Sequence, residues 1–159
     1  MDAETSALLR GLLARGPVAA LATLHGGEPA VSMVPFVLPP GGTELFIHVS
    51  ALATHTRDMR EHPQVGLMVM ADPAGPWPPQ ALPRVTLQAQ ARALSRDSAE
   101  YDAARALYLA RFPDSAPTFE LADFSFFALQ PLSARLIGGF GRAHGLVGEP
   151  LRAWLQTAA

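Results

Sequence analysis

The chain has 159 residues, room for one domain over 1–159 and little more. Apolar residues make up 49% of it and charged residues 16%, so it can bury a sizeable core, and part of its surface is expected to be hidden in an oligomer. A net charge of −2 without a basic cluster leaves no nucleic-acid footprint, the lack of cysteine excludes disulfides and thiolate chemistry, and no apolar run is long enough to span a membrane.

The acidic start Met1-Asp2-Ala3-Glu4 is unlike a signal peptide, and the cytoplasm is the expected location. Leu8, Leu9, Leu12 and Leu13 share one helical face, and Gly16-Pro17 ends that helix. Val18 to Leu24 and Ala30 to Leu38, joined through His25-Gly26-Gly27-Glu28, read as a β-hairpin. Pro39-Pro40-Gly41-Gly42 is a second turn. Thr43 to Val49 is a third strand, with Leu45, Ile47 and Val49 on one face and Glu44, Phe46 and His48 on the other. A short helix follows over Thr54 to Glu61, with Thr54 as its expected cap and Pro63 beyond its end. Val65 to Met70, wholly apolar, reads as a buried strand. The proline-rich stretch from Asp72 to Pro83 must be a loop.

Arg84 to Leu94 resumes strand character. Ser98 is placed to cap a helix carrying Tyr101, Ala104, Leu107, Tyr108 and Arg111, closed by Phe112-Pro113-Asp114. Phe124 to Gln130 and Ala134 to Ile137 read as two strands hinged at Pro131, followed by a glycine-rich tail and a short segment around Leu151 to Leu155. About six strands joined mostly by short turns favour antiparallel pairing, and a sheet of so few charges would rather close than expose its edges. The expected fold is mainly β: a six-stranded antiparallel split barrel with flanking helices.

The most informative stretch for chemistry is Ser50-Ala51-Leu52-Ala53-Thr54-His55-Thr56-Arg57, where a strand meets a helix start. Unpaired N–H groups and the helix dipole attract anions there, and Ser50, Thr54, His55, Thr56 and Arg57 add donors, Arg57 in a fork suited to phosphate. An ordinary surface helix with a solvated Arg57 is the alternative. Ser32 could meet a ligand at the barrel rim or simply be tolerated in its strand. Arg84 is either a ligand contact or half of an ion pair. Phe140 and Arg142, between Gly139 and Gly145, could stack on a ligand and hold an anion, or form a flexible exit from the last strand. His25 reads as solvated, His48 as packed, and His62 as a cation suited to a helix end. No His or carboxylate pair has metal-ligand spacing, so no metal site is expected.

In order along the chain, Val18 to Leu24, Val31-Ser32-Met33-Val34-Pro35-Phe36, His55-Thr56-Arg57-Asp58-Met59, Arg84-Val85-Thr86-Leu87-Gln88, Ala122-Asp123-Phe124 and Gly139-Phe140-Gly141-Arg142-Ala143 resemble the pyridoxamine 5′-phosphate oxidase-like FMN-binding split barrels. Their haem-utilisation branch is the most similar. The resemblance implies a homodimer with two cofactor sites at the subunit interface, and the charge and hydropathy of the chain lead to no nucleic-acid or membrane partner being expected. It implies FMN as cofactor, with the flavin phosphate near Thr54 to Arg57. Ser32, Val34 and Ser50 would line the site, Arg84 would flank the flavin, and Phe140 and Arg142 would complete it, from the partner subunit in one arrangement. A flavin-dependent oxidoreductase acting on a small molecule is the first functional expectation. A haem-binding or haem-handling protein on the same fold is the second, with His144 as the late candidate for an iron ligand. A non-catalytic cofactor-binding dimer is the third.

Overall fold

The computed structural model describes residues 1–157. Helix α1 (Ala3–Arg15) is capped by Asp2, whose side chain accepts a 2.8 Å hydrogen bond from the Thr5 N–H. Strands β1 (Val18–His25) and β2 (Glu28–Pro35) pair along their full length, turning at Gly26 and Gly27, both at positive φ. Then come β3 (Leu45–Ser50), α2 (Thr54–Glu61), β4 (Gln64–Met70), β5 (Arg84–Ala93), α3 (Ala99–Arg111), β6 (Phe124–Ile137), β7 (Ala143–Val147) and α4 (Gly148–Gln156).

All neighbouring strands run antiparallel, in the order β2-β1-β4-β5-β6-β3, with β7 added beside β6. This is the expected split barrel with flanking helices, with β7 as an additional strand. The two ends of the path meet only once, where Val37, just past β2, bridges to Phe46 of β3. The sheet therefore curls into a barrel whose last seam is open.

Several local expectations are corrected. The two strands hinged at Pro131 are one strand of 14 residues, β6. Its register against β5 shifts between Gln88 and Ala89, which face Ser133 and Pro131, so Leu132 is left over as a bulge. A proline has no N–H to give the ladder and fits at such a bulge. The residue preceding α2 is Ala53, and Thr54 is its first helical residue; no side chain caps that helix. Strand β4 alternates between buried and exposed positions instead of being wholly buried, with Met70 41% exposed. A 3-10 segment over Pro113–Glu120, unforeseen, follows α3. The Ser98 cap of α3 forms as expected, accepting from the Tyr101 N–H at 3.1 Å.

The core has two parts. Leu9 and Leu13 of α1, Leu21, Ile47, Leu67, Leu87 and Phe127 fill the barrel interior. Phe46, Phe126, Tyr101, Ala104 and Tyr108 pack beneath α3 on the other side of β3 and β6. Strand β3 is thus buried on both faces, and His48 ends up in an aromatic box. Its ring stacks on Phe119 at 4.1 Å and lies 4.7 Å from Phe126. Thr118 donates its hydroxyl hydrogen to the Ser115 carbonyl, so at 3.3 Å it can only accept from His48 Nδ1. His48 Nε2 is then a buried acceptor without a partner.

Burial, with Arg96 and Arg105 nearby, pushes the His48 imidazole from its ordinary 6.5 down to about 4. The unfolded chain takes up a proton below 6.5 that the folded chain refuses until about 4. Stability should therefore fall as pH drops through that window, and His48→Phe should flatten the fall in pH-dependent urea melts. Phe126 is fully buried and touches every ring of the cluster around Tyr101, Tyr108 and Phe119. Phe126→Ala should cost about 3–5 kcal/mol in equilibrium unfolding. A loss under about 1 kcal/mol would show that α3 is held by something else.

Candidate functional site

Most of the expected site residues lie on β2 or at the β3–α2 corner, the elements on either side of the open seam. Beyond the Val37–Phe46 bridge, β2 and β3 part, and the start of α2 lies against the end of β3. Ser32 and Val34 of β2 face the barrel interior, since Ser32 pairs with buried Leu21 and Val34 with buried Ala19. Val34 is core. The Ser32 hydroxyl oxygen is buried with no hydrogen-bond partner, an arrangement that is costly unless something else supplies one.

At the β3–α2 corner, two of the three hydroxyls already have structural duties. Ser50 bonds to the Asp123 carboxylate and accepts from the Leu52 N–H at 3.1 Å. Thr56, fully buried, donates to the Ser50 carbonyl at 2.7 Å. Thr54 and Arg57 are exposed and His55 is half-buried. Burial holds the His55 imidazole below its usual value against the opposing pull of Asp58, so its neutral form is favoured. An uncapped helix start with a free guanidinium one turn along is an arrangement that can take an anion.

One cluster was not visible in the sequence. Asp58, only 2% exposed, lies under α2, where its two oxygens meet the Thr23 hydroxyl at 2.7 Å and His25 Nδ1 at 2.9 Å. These hydrogen bonds, that from His25 foremost, hold its carboxyl below the ordinary range despite burial. His25, read as a solvated turn residue, is thereby an oriented one. A separation of 33 residues gives no periodic signal; only the full β1–β2 register and the placement of α2 bring the pair together.

Arg84, Phe140 and Arg142 are elsewhere. Arg84 opens β5 opposite Ile137, the last residue of β6, and donates to the Leu82 carbonyl at 2.9 Å. Phe140 is 88% exposed at the tip of the β6–β7 turn. Arg142 reaches Thr5 of α1 at 3.5 Å, beside a hollow of about 600 Å³ that also takes Arg15 and Trp77. Ser50, by contrast, lies beside Phe124, the first residue of β6. The two groups thus sit at opposite ends of a 14-residue strand, roughly 45 Å of contour at about 3.3 Å per residue. His144 pairs with buried Leu136 and points to the core side of the sheet.

The outer face of β2, β1 and β4 is apolar and open. Ala20 is flanked by Met33 and Met68, and Ala22 by Val31 and Gly66. Val31 is 75% and Met33 63% exposed, and a hollow of about 480 Å³ lies between Val18, Met33, Met68 and Met70. Contiguous exposed apolar surface of this kind is uncommon on a monomer. Among the described residues, no helix is long and apolar enough to cross a membrane.

The family model described as pyridoxamine 5′-phosphate oxidase matches residues 5–138. Over 133 residues the chain is 34% identical to the heme oxygenase HutZ of Vibrio cholerae, covering 82% of this chain and 74% of that protein. It is 31% identical over 156 residues to the chloroplastic non-canonical heme oxygenase HOZ of Arabidopsis thaliana, covering 98% of this chain but 46% of that one. Among solved structures, a heme-binding protein from Mycobacterium smegmatis superposes with a TM-score of 0.83 at 30% identity, over 96% of this chain and 62% of that one. The chain thus spans between about half and three-quarters of the length of these relatives.

Proposed function

The chain belongs to the pyridoxamine 5′-phosphate oxidase family, and from that premise we propose that it is a haem-binding protein that works as a homodimer. The observation that carries the reading is the similarity at 34% identity to a heme oxygenase over 82% of the chain. The residues at the seam fit such a ligand. Arg57 and the uncapped start of α2 suit propionate carboxylates. His25 and His55 lie against or on α2, and the Ser32 hydroxyl lacks a partner.

Haem, when bound, supplies the redox-active iron. The chain's part is to anchor the carboxylates, orient an imidazole and keep water from the apolar side. In the dimer, the β2-β1-β4 faces of two copies cover each other. The Arg84–Arg142 corner of one copy, too far along β6 to serve its own seam, then borders the seam of the other. FMN is the second reading, favoured by the β3–α2 corner, since its phosphate would take the same backbone N–H groups and Arg57.

Adding haemin to the purified protein should produce a sharp Soret band with saturable titration, while FMN leaves the band in place. A flavin spectrum that haemin cannot displace would reverse the order of the two readings. Arg57→Ala should weaken haemin binding about fivefold, near 1 kcal/mol for an exposed cation. In light scattering the native chain should have twice the monomer mass, and Val31→Glu with Met33→Glu should halve it. A native monomer at micromolar concentration would remove the dimer from the proposal.

A further inference from the structure

The hollow of about 600 Å³ beside Arg142 lies at the other end of β6 from the Ser50 corner. Ala7, Leu8 and Arg15 of α1 form one wall, Trp77 of the proline-rich loop a second, and Arg142 of the β6–β7 turn a third; Glu4 also lines it. Its volume falls in the range that small-molecule sites occupy, roughly 300–1,000 Å³.

Each wall is held from behind. Trp77 stands between Pro76 and Pro78, whose rings fix the backbone on either side. The indole packs back on Gly75, where an added Cβ would stand 2.8 Å from its Cζ3. That turn is closed by the Gly75 N–H, which donates to the Asp72 carbonyl at 2.9 Å. The turn carrying Arg142 is closed twice: the Gly138 N–H donates to the Arg142 carbonyl at 2.9 Å, and the Arg142 N–H to the Gly139 carbonyl at 3.2 Å. The Arg15 guanidinium folds back over Gly11, in the space that a Cβ there would fill. With the walls already placed, little ordering is left to oppose a ligand.

The charges in the hollow are not balanced. Among the described residues, neither Arg15 nor Arg142 lies within ion-pair distance of a carboxylate. Asp2, in the field of Arg142, has spent both oxygens on Thr5, at 2.8 and 2.9 Å. Glu4 is the remaining acid. Two guanidinia against one free carboxylate leave a single positive charge to be met. A carboxylate matches the guanidinium fork, whereas a phosphate monoester brings close to two charges and asks for more cations. Trp77, Ala7 and Leu8 offer the rest of the ligand an aromatic and apolar surface, which suits a flat ring.

We propose that this hollow is a second ligand site, separate from the seam, for a planar aromatic monocarboxylate. Its carboxylate lies between Arg15 and Arg142, and its ring lies against Trp77. The site goes beyond the haem reading and stands without it: a chain that takes up no haemin binds the acid all the same.

The test is titration of the full-length chain with naphthoate, followed in proton–nitrogen correlation spectra. The two tryptophans report separately. The Trp77 indole signal, identified by its loss in Trp77→Phe, should move saturably with a Kd of about 1 mM or below. The Trp154 signal should stay in place, because that indole donates to Ser6 on the opposite face of α1. Arg15→Gln and Arg142→Gln, with folding checked by thermal melting, should each raise the Kd about fivefold. Arg60→Gln, an exposed arginine of α2, should leave it unchanged. The neutral naphthylmethanol should bind about tenfold more weakly, and inorganic phosphate should move neither signal. A Trp77 signal unmoved at about 10 mM naphthoate, or two indole signals that move together, overturns the site. Undiminished affinity in either folded arginine variant, or for naphthylmethanol, overturns the carboxylate assignment.

Discussion

The single bridge between Val37 and Phe46 is the constraint on which the arrangement of the site depends. Val37 gives its N–H to Phe46 at 3.0 Å and receives one back at 2.8 Å. Two residues earlier, where an extended chain would next present an N–H toward β3, stands Pro35, which has none. The ladder cannot run on, and the barrel stays split there. An unpaired pair of strand edges in water invites aggregation, so something must cover it. The corner from Ser50 to Thr56 continues β3 beside that opening, and helix α2 packs on β1 and β5. The corner is held internally: Ser50 to Asp123, Thr56 to the Ser50 carbonyl, and Asp58 to Thr23 on β1.

That packing accounts for most of the buried polar groups of so apolar a chain. Thr23, Thr56 and Asp58 are among its few buried polar residues, and all three serve α2. A buried carboxylate costs free energy unless its oxygens are occupied, and here both are. The one partner that reaches solvent is His25, so the demand for satisfaction inside the barrel becomes a fixed imidazole outside it. The orphaned Ser32 hydroxyl on β2 is the unmet half of the same region.

Much of the fold could be read in advance because its signals were local. Helix α2 spans the expected residues, the Ser98 cap holds α3, and the alternation in β3 is real on both faces, since Leu45, Ile47 and Val49 enter one core and Phe46 the other. What was missed depended on distant partners. Pro131 looks like a strand end until β5 is seen to absorb it as a bulge. Strand β7, with Gly145 at its centre, has weak propensity of its own and exists because β6 offers it an edge. Among the site residues, the corner from Ser50 to Arg57 was legible as a strand–helix junction. The His25–Asp58 pair was not, because nothing in a 33-residue gap announces a contact.

The chemistry of the seam also bears on the charge of what it could hold. With burial keeping His55 below its usual value, the formal positive charge at the α2 start rests on Arg57 alone, on a chain without a lysine. Asp58, ionised one residue further along, faces the other way but is not far off, and its field opposes the accumulation of negative charge. A phosphate monoester brings close to two charges to one point, and the classical answer to it is a cluster of cations. Two carboxylates on separate arms of a flat apolar body ask less of any one position. The first can be met by Arg57 and backbone N–H groups, and the second by cations from further away. On electrostatic grounds alone, a seam with one guanidinium and a His55 held toward its neutral form is better matched to a ligand of the second kind.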